Sequence, residues 1–213
     1  MAVIDGTVVN IALPSITRHY STDLADTQWT ITAYLITMTS LLLVFGQLSD
    51  YIGRARLFFV GICIFTASSL ACGLSANLPS LIFFRILQAS GAAMLFSISS
   101  ALIFATTPAS ERGRAMGYLG STVAIGSIAG PVLGGFIVDS LGWEYIFFIN
   151  IPLGMLLIIA ALKFLQFGTR DQPVLTLDIH GSLAMVGTFV SLILVLGNLS
   201  VYLAITPVII VEG

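Results

Sequence analysis

Residues 46–56 read GQLSDYIGRAR. Long apolar runs flank this polar stretch on both sides, and a helix of about 20 such residues crosses a hydrocarbon core about 30 Å thick. The stretch therefore reads as a junction between two membrane spans. Gly46 permits close helix approach, Gly53 suits a tight turn, and Arg54 and Arg56 belong in water. Asp50 stands at the membrane edge among these cations, placed either to cap a helix or to form an ion pair that breaks as helices move. Standing alone, the same residues read as a charged loop that fixes topology.

The whole chain has the character of that neighbourhood. It is 57% hydrophobic and 8% charged, with a mean hydropathy of +1.05, whereas a soluble domain carries about 25% charged residues. Working outward, the pattern predicts helices at roughly 1–17, 27–48, 57–76, 79–104, 115–139, 144–167 and 179–199. The last stretch, YLAITPVIIVEG (202–213), is apolar but too short to span, and Pro207 interrupts it. The expected fold is all-α and polytopic. Residues 1–168 form a transmembrane bundle with a short first helix, and 169–213 hold a cytoplasmic linker, a seventh helix and a tail.

If the 49–56 loop is cytoplasmic, Arg54, Arg56, Arg112, Arg114, Lys163 and Arg170 share that side, six of the eight Lys and Arg residues. Arg18 falls on the other side and Arg85 lies within a helix. Positive charge marks the cytoplasmic face, so a multi-pass protein of the cell (plasma or inner) membrane with a cytoplasmic N-terminus is expected, the lipid bilayer being its first partner. No secretory signal is evident. A net charge of −2 without a basic arm argues against a nucleic-acid partner. Cys63 and Cys72 fall nine positions apart on one expected helix, about 13 Å along its axis, too far for a disulfide. There is no metal-ligand cluster, phosphate loop or nucleophile–base set, so neither an enzyme nor a cofactor is expected, and work must draw on an ion gradient.

Three stretches place unusual residues inside the expected spans. VIDGTVVNIALP (3–14) carries the carboxylate of Asp5. FFRILQASGAA (83–93) carries Arg85, with Gln88 and Gly91 on roughly the same face. Intramembrane charges usually face a polar cavity or a partner. GSIAGPVLGG (126–135) spaces Gly126, Gly130 and Gly134 at four residues, a flat packing stripe bent by Pro131. Such a stripe is compatible with plain packing, and Asp5 with mere hydrogen bonding to Thr7, Asn10 or a neighbouring helix. His19 and His180 fall near membrane boundaries as solvated or capping residues.

Together these segments resemble the major facilitator superfamily. Its G-x-L-x-D-x-x-G-R-x-R signature is matched at Gly46, Leu48, Asp50, Gly53, Arg54 and Arg56. Its R-x-x-Q-x-x-G pattern is matched at Arg85, Gln88 and Gly91, with Ala89 where a Gly commonly follows the Gln. The antiporter stripe is matched at Gly126, Gly130, Pro131, Gly134 and Gly135. ERGRAMG (111–117) looks like an echo of the first loop, as expected if helices 1–3 and 4–6 are repeats. Narrower still, VIDGTVVNIALP, IFFINIPLG (146–154) and DIHG (178–181) resemble the fourteen-helix drug:proton antiporter branch. Where that branch usually has W-R-W, this chain has Trp143, Glu144 and Tyr145, an acidic residue in place of a cation.

The resemblance implies export of amphipathic drug-like or cationic compounds in exchange for protons, by alternating access. Burial disfavours the ionised form of a carboxylate, so Asp5 is expected to carry the proton, with Arg85 influencing it in one conformation and releasing it in the other. Asn10, Gln28, Tyr34 and Gln88 are candidates for the substrate cavity beside Trp29, although aromatic residues also serve as packing or interfacial anchors. Asp50 and its loop are expected to gate. Transporters of this kind have a second six-helix bundle, and this chain has none, so a fragment of a longer transporter is expected. The alternative is a non-transporting truncated membrane protein acting as an assembly or regulatory partner.

Overall fold

The structure, a computed structural model, describes residues 1–164, without the side chains of 102, 104–106 and 164, and positions 187, 188 and 191. Apart from those three positions, the expected seventh helix lies outside the described residues. So do the tail, Arg170, His180 and the domain boundary at 168/169.

The described residues fold as helices: α1 (Ala2–Tyr20), α2 (Leu24–Ile52), α3 (Arg54–Gly73), α4 (Leu78–Thr106), α5 (Arg112–Ser140), α6 (Tyr145–Phe148) and α7 (Asn150–Phe164). Five stretches are long and apolar enough to cross a membrane: Leu24–Ile52, Arg54–Gly73, Leu78–Ala101, Arg112–Ser140 and Tyr145–Lys163. α1 is about 28 Å long. It is less apolar, carrying Asp5, Arg18 and His19.

Two boundaries differ from expectation. The loop expected at 49–56 shrinks to the single residue Gly53, whose φ of +103° suits glycine and few other residues. The polar residues before it stay helical because they are satisfied locally. Ser49 donates to Gly46 O at 2.7 Å, and Asp50 pairs with Arg54 one turn on at 3.1 Å. The helix expected at 144–167 is instead broken at Ile149 into α6 and α7.

Successive helices run up and down, as their junctions show. At one end Arg54 Nη1, just past the α2–α3 junction, donates to Ala101 O near the end of α4. At the other, Tyr20 donates to Ser75 O at 2.9 Å, and its ring meets that of Trp143 at 5.6 Å. Asn77 caps α4 in a reciprocal pair with Ser80. Most buried hydroxyls turn back onto their own helix, as Ser68 does to Ile64 O and Ser69 to Phe65 O, which removes the cost of an unmade bond in an apolar interior.

Glycines set the closest approaches. A Cβ at Gly126 would come within 3.3 Å of Val3, one at Gly130 would collide with Thr7, and one at Gly134 would stand 2.9 Å from Val8, so the stripe on α5 is the seat of α1. α3 and α4 cross at Gly61 and Gly91. Gly135 lies off the stripe with open space around it, and Pro131 is exposed.

A methyl group at Gly91 would sit 2.7 Å from the backbone nitrogen of Phe65 and 2.8 Å from Gly61 O. Overpacking of this kind costs about 1–3 kcal/mol. Gly91→Ala therefore lowers the unfolding midpoint in SDS-containing mixed micelles. Gly135→Ala, with nothing within 4 Å, leaves the midpoint unchanged or raises it by the helix preference of Ala.

Candidate functional site

Side chains from α1, α4 and α7 meet at one buried carboxylate. Asp5 on α1 is 2% exposed and Arg85 on α4 is 0% exposed. Arg85 Nη1 donates to Asp5 Oδ2 at 2.6 Å. The other oxygen, Oδ1, accepts from Gln88 Nε2 at 3.0 Å and from Asn150 Nδ2 at 2.8 Å. All three are donated to the Asp5 carboxyl group, the one from the guanidinium being charge-assisted.

A second ring of contacts orients these groups. Gln88 sits three residues beyond Arg85 on α4, so the two side chains share a face. Its Oε1 accepts from Arg85 Nη1 at 2.6 Å, and its Nε2 also donates to Ser69 Oγ at 2.7 Å. Ser69 can accept because its own proton is spent on Phe65 O. Arg85 Nε donates to Thr30 O on α2 at 3.2 Å, and its guanidinium lies 4.0 Å above the ring of Tyr34, a favourable cation–π geometry. Cys72 Sγ approaches Gln88 Oε1 at 3.9 Å, and both cysteines of α3 are free. Arg85 Nη2 is buried without a hydrogen-bond partner.

The expected pair of Asp5 and Arg85 thus meets directly, and Tyr34 and Gln88 join it. The pair is enclosed by helices in this structure rather than presented on an exposed face, which is how a lone bundle keeps two charges from lipid. Asn10 is exposed and donates to Gly6 O within its own helix, and Gln28 is exposed on α2. Neither touches the network. Asp50 and Arg54 form their ion pair at the α2–α3 junction with both side chains partly exposed, and Arg56 is exposed beside them. His19 is exposed, with its ring edge-on to Tyr20 and Trp143.

The sequence reading missed Asn150, Ser69 and Thr30 as site residues. Asn150 had a signal, as the one polar side chain in IFFINIPLG. Ser69 and Thr30 had none, since hydroxyls on such helices usually bond their own backbone.

A bundle of apolar helices closed around a buried acid–base pair defines a multi-pass membrane protein with an intramembrane charge site. The chain belongs to the Major Facilitator Superfamily, a family of transporters, whose pattern matches residues 1–210. It is 38% identical over 213 residues to the riboflavin transporter RibZ of Clostridioides difficile, covering 99% of this chain and 47% of that one. It is 35% identical to the multidrug transporter protein MdtP of Bacillus subtilis, covering 92% of this chain and 36% of that one. The chain therefore spans about half or less of these relatives. A solved bacterial homologue of the human lysosomal transporter Spinster, inward-facing and occupied, has the same fold. Its TM-score is 0.61 at 20% identity, over 83% of this chain and 43% of that one.

Removing one member of a buried pair strands the other charge, at a cost of about 3–5 kcal/mol. Arg85→Gln alone therefore destabilises the bundle strongly. The double variant Asp5→Asn/Arg85→Gln regains most of the loss, as read from unfolding midpoints of the four proteins in a double-mutant cycle.

Proposed function

We propose that this chain is the N-terminal half of a proton-coupled exporter of amphipathic, drug-like or cationic compounds, working by alternating access with a second bundle. The observation that carries it is the buried Asp5–Arg85 pair at 2.6 Å, joined by Gln88 and Asn150. An acid held against a cation inside apolar packing is poised between two states. With Arg85 in contact, Asp5 Oδ2 is occupied by the guanidinium. When rocking against the second bundle is accompanied by a shift of α1 relative to α4, the two separate and Asp5 is free to take a proton. Substrate competing for the same state then exchanges for the proton.

Family membership supports transport, and the relatives, a riboflavin transporter and a multidrug transporter, support organic small-molecule substrates. The cation distribution supports a cell (plasma or inner) membrane location with the N-terminus in the cytoplasm. In this scheme the Asp50–Arg54 pair makes and breaks at the cytoplasmic end as the bundles rock. The proton gradient supplies the energy, and no cofactor takes part.

The test is a chimera in which residues 1–213 replace the matching half of RibZ, in liposomes with an internal pH dye and ethidium or riboflavin as trial substrate. Substrate-driven proton movement is expected, and Asp5→Asn reduces it at least tenfold. Unaltered pH dependence in Asp5→Asn would falsify the proton role. Asp5-dependent flux from residues 1–213 alone would refute the need for a second bundle.

A further inference from the structure

The two oxygens of Asp5 are held by different kinds of donor. Oδ2 has one partner, the charged Nη1 of Arg85, whereas Oδ1 has two, the neutral amides of Gln88 and Asn150. A neutral amide N–H can still donate to the carbonyl oxygen of a protonated acid, although more weakly than to a carboxylate. A guanidinium loses its acceptor when that oxygen is protonated.

The donors also differ in where they are mounted. Gln88 shares a helix face with Arg85 and is bonded to it, so it moves with the cation. Asn150 is the first residue of α7, directly after the break at Ile149. It is 3% exposed and reaches Asp5 from 145 residues away in the chain. It is thus independent of α4.

Resting on the proton-carrying role proposed above for Asp5, we infer that Asn150 is a positioning residue that pins Oδ1 throughout the cycle, leaving Oδ2 as the atom that exchanges Arg85 for the proton. On uptake, one O–H bond forms at Oδ2 and the Nη1–H···Oδ2 bond breaks. Arg85 keeps its own protons, and the site changes from neutral to a single positive charge. The guanidinium is not stranded, because Gln88 Oε1, Thr30 O and the face of Tyr34 remain around it. The titratable groups facing Asp5 are Arg85 from α4, Tyr34 from α2, Cys72 from α3 and the amino group of Met1 on α1. α5 presents glycines to α1, and α7 presents the amide of Asn150.

Infrared titration of residues 1–213 in lipid nanodiscs tests this, the Asp5 carbonyl band being identified as the one lost in Asp5→Asn. In the unsubstituted protein the protonated band is shifted low by the hydrogen bond that Asn150 donates to Oδ1. Asn150→Leu removes one donor to the charged form, so the midpoint of proton uptake moves up by about one to two pH units. The carbonyl band of the protonated acid moves to higher frequency at the same time. Asn150→Asp keeps the side-chain shape, carries the test if the Leu variant does not fold, and moves the midpoint up further by placing a second acid on Oδ1.

A midpoint and band unchanged in the folded variants overturn the role of Asn150 while leaving Asp5 as proton carrier. A raised midpoint with an unmoved band also overturns the inference, placing the proton on Oδ1. An Asp5 band that never titrates between pH 5 and 9 in any of these proteins overturns both. Loss of stability alone moves neither the band nor the midpoint.

Discussion

A carboxylate and a guanidinium cannot stand singly in hydrocarbon, and this fold is organised around keeping one of each together. Ion-pair attraction inside a protein offsets the loss of hydration only when the remaining donors and acceptors are also occupied. Asp5 meets that demand on both oxygens, and Arg85 meets it through Asp5, Gln88, Thr30 and the Tyr34 ring, with Nη2 as the exception. The consequence is architectural. Contacts drawn from α1, α2, α3, α4 and α7 are needed to satisfy one charged pair, so the pair fixes the relative placement of most of the bundle.

α5 is held by another means. It sends no hydrogen bond to Asp5, and its seat against α1 is made of bare backbone at Gly126, Gly130 and Gly134. Membrane helices gain little from burying apolar surface against one another, because lipid tails are equally apolar, so close van der Waals packing does the holding. The bundle therefore combines two kinds of cohesion: a polar hub that specifies register, and small-residue faces that let helices approach. The α3–α4 crossing at Gly61 and Gly91 lies within a few turns of Ser69 and Gln88, and it brings those two side chains to 2.7 Å.

Much of this was legible in the sequence, for physical reasons that differ from element to element. Span length and apolarity follow directly from bilayer thickness, which is why the helices at 57–76 and 79–104 fall close to α3 and α4. Asp5, Arg85 and Gln88 declared themselves because charge and amide are costly in such runs. The length of the α2–α3 junction was not legible: cutting a helix at its first charged residue ignores that Asp50 and Arg54 satisfy each other across the Gly53 junction. The break at Ile149 had a mark in Pro152, which has no N–H to donate to Phe148 O and suits the first turn of a new helix. Asn10 and Gln28 looked like site residues from type alone, and only the azimuth of each helix, fixed by packing, turned them outward.

Consider finally the junction at Gly53. One residue connects a helix of 29 residues to one of 20, and two successive virtual bonds of about 3.8 Å each limit the separation of the flanking Cα atoms to under about 8 Å. α2 and α3 can therefore swivel about this point but never part there. Any tilt imposed at that end is delivered as leverage along both shafts, toward Thr30 and Tyr34 on one and Ser69 on the other. The hairpin behaves as a pair of tongs with its rivet at Gly53 and its jaws at the charged pair.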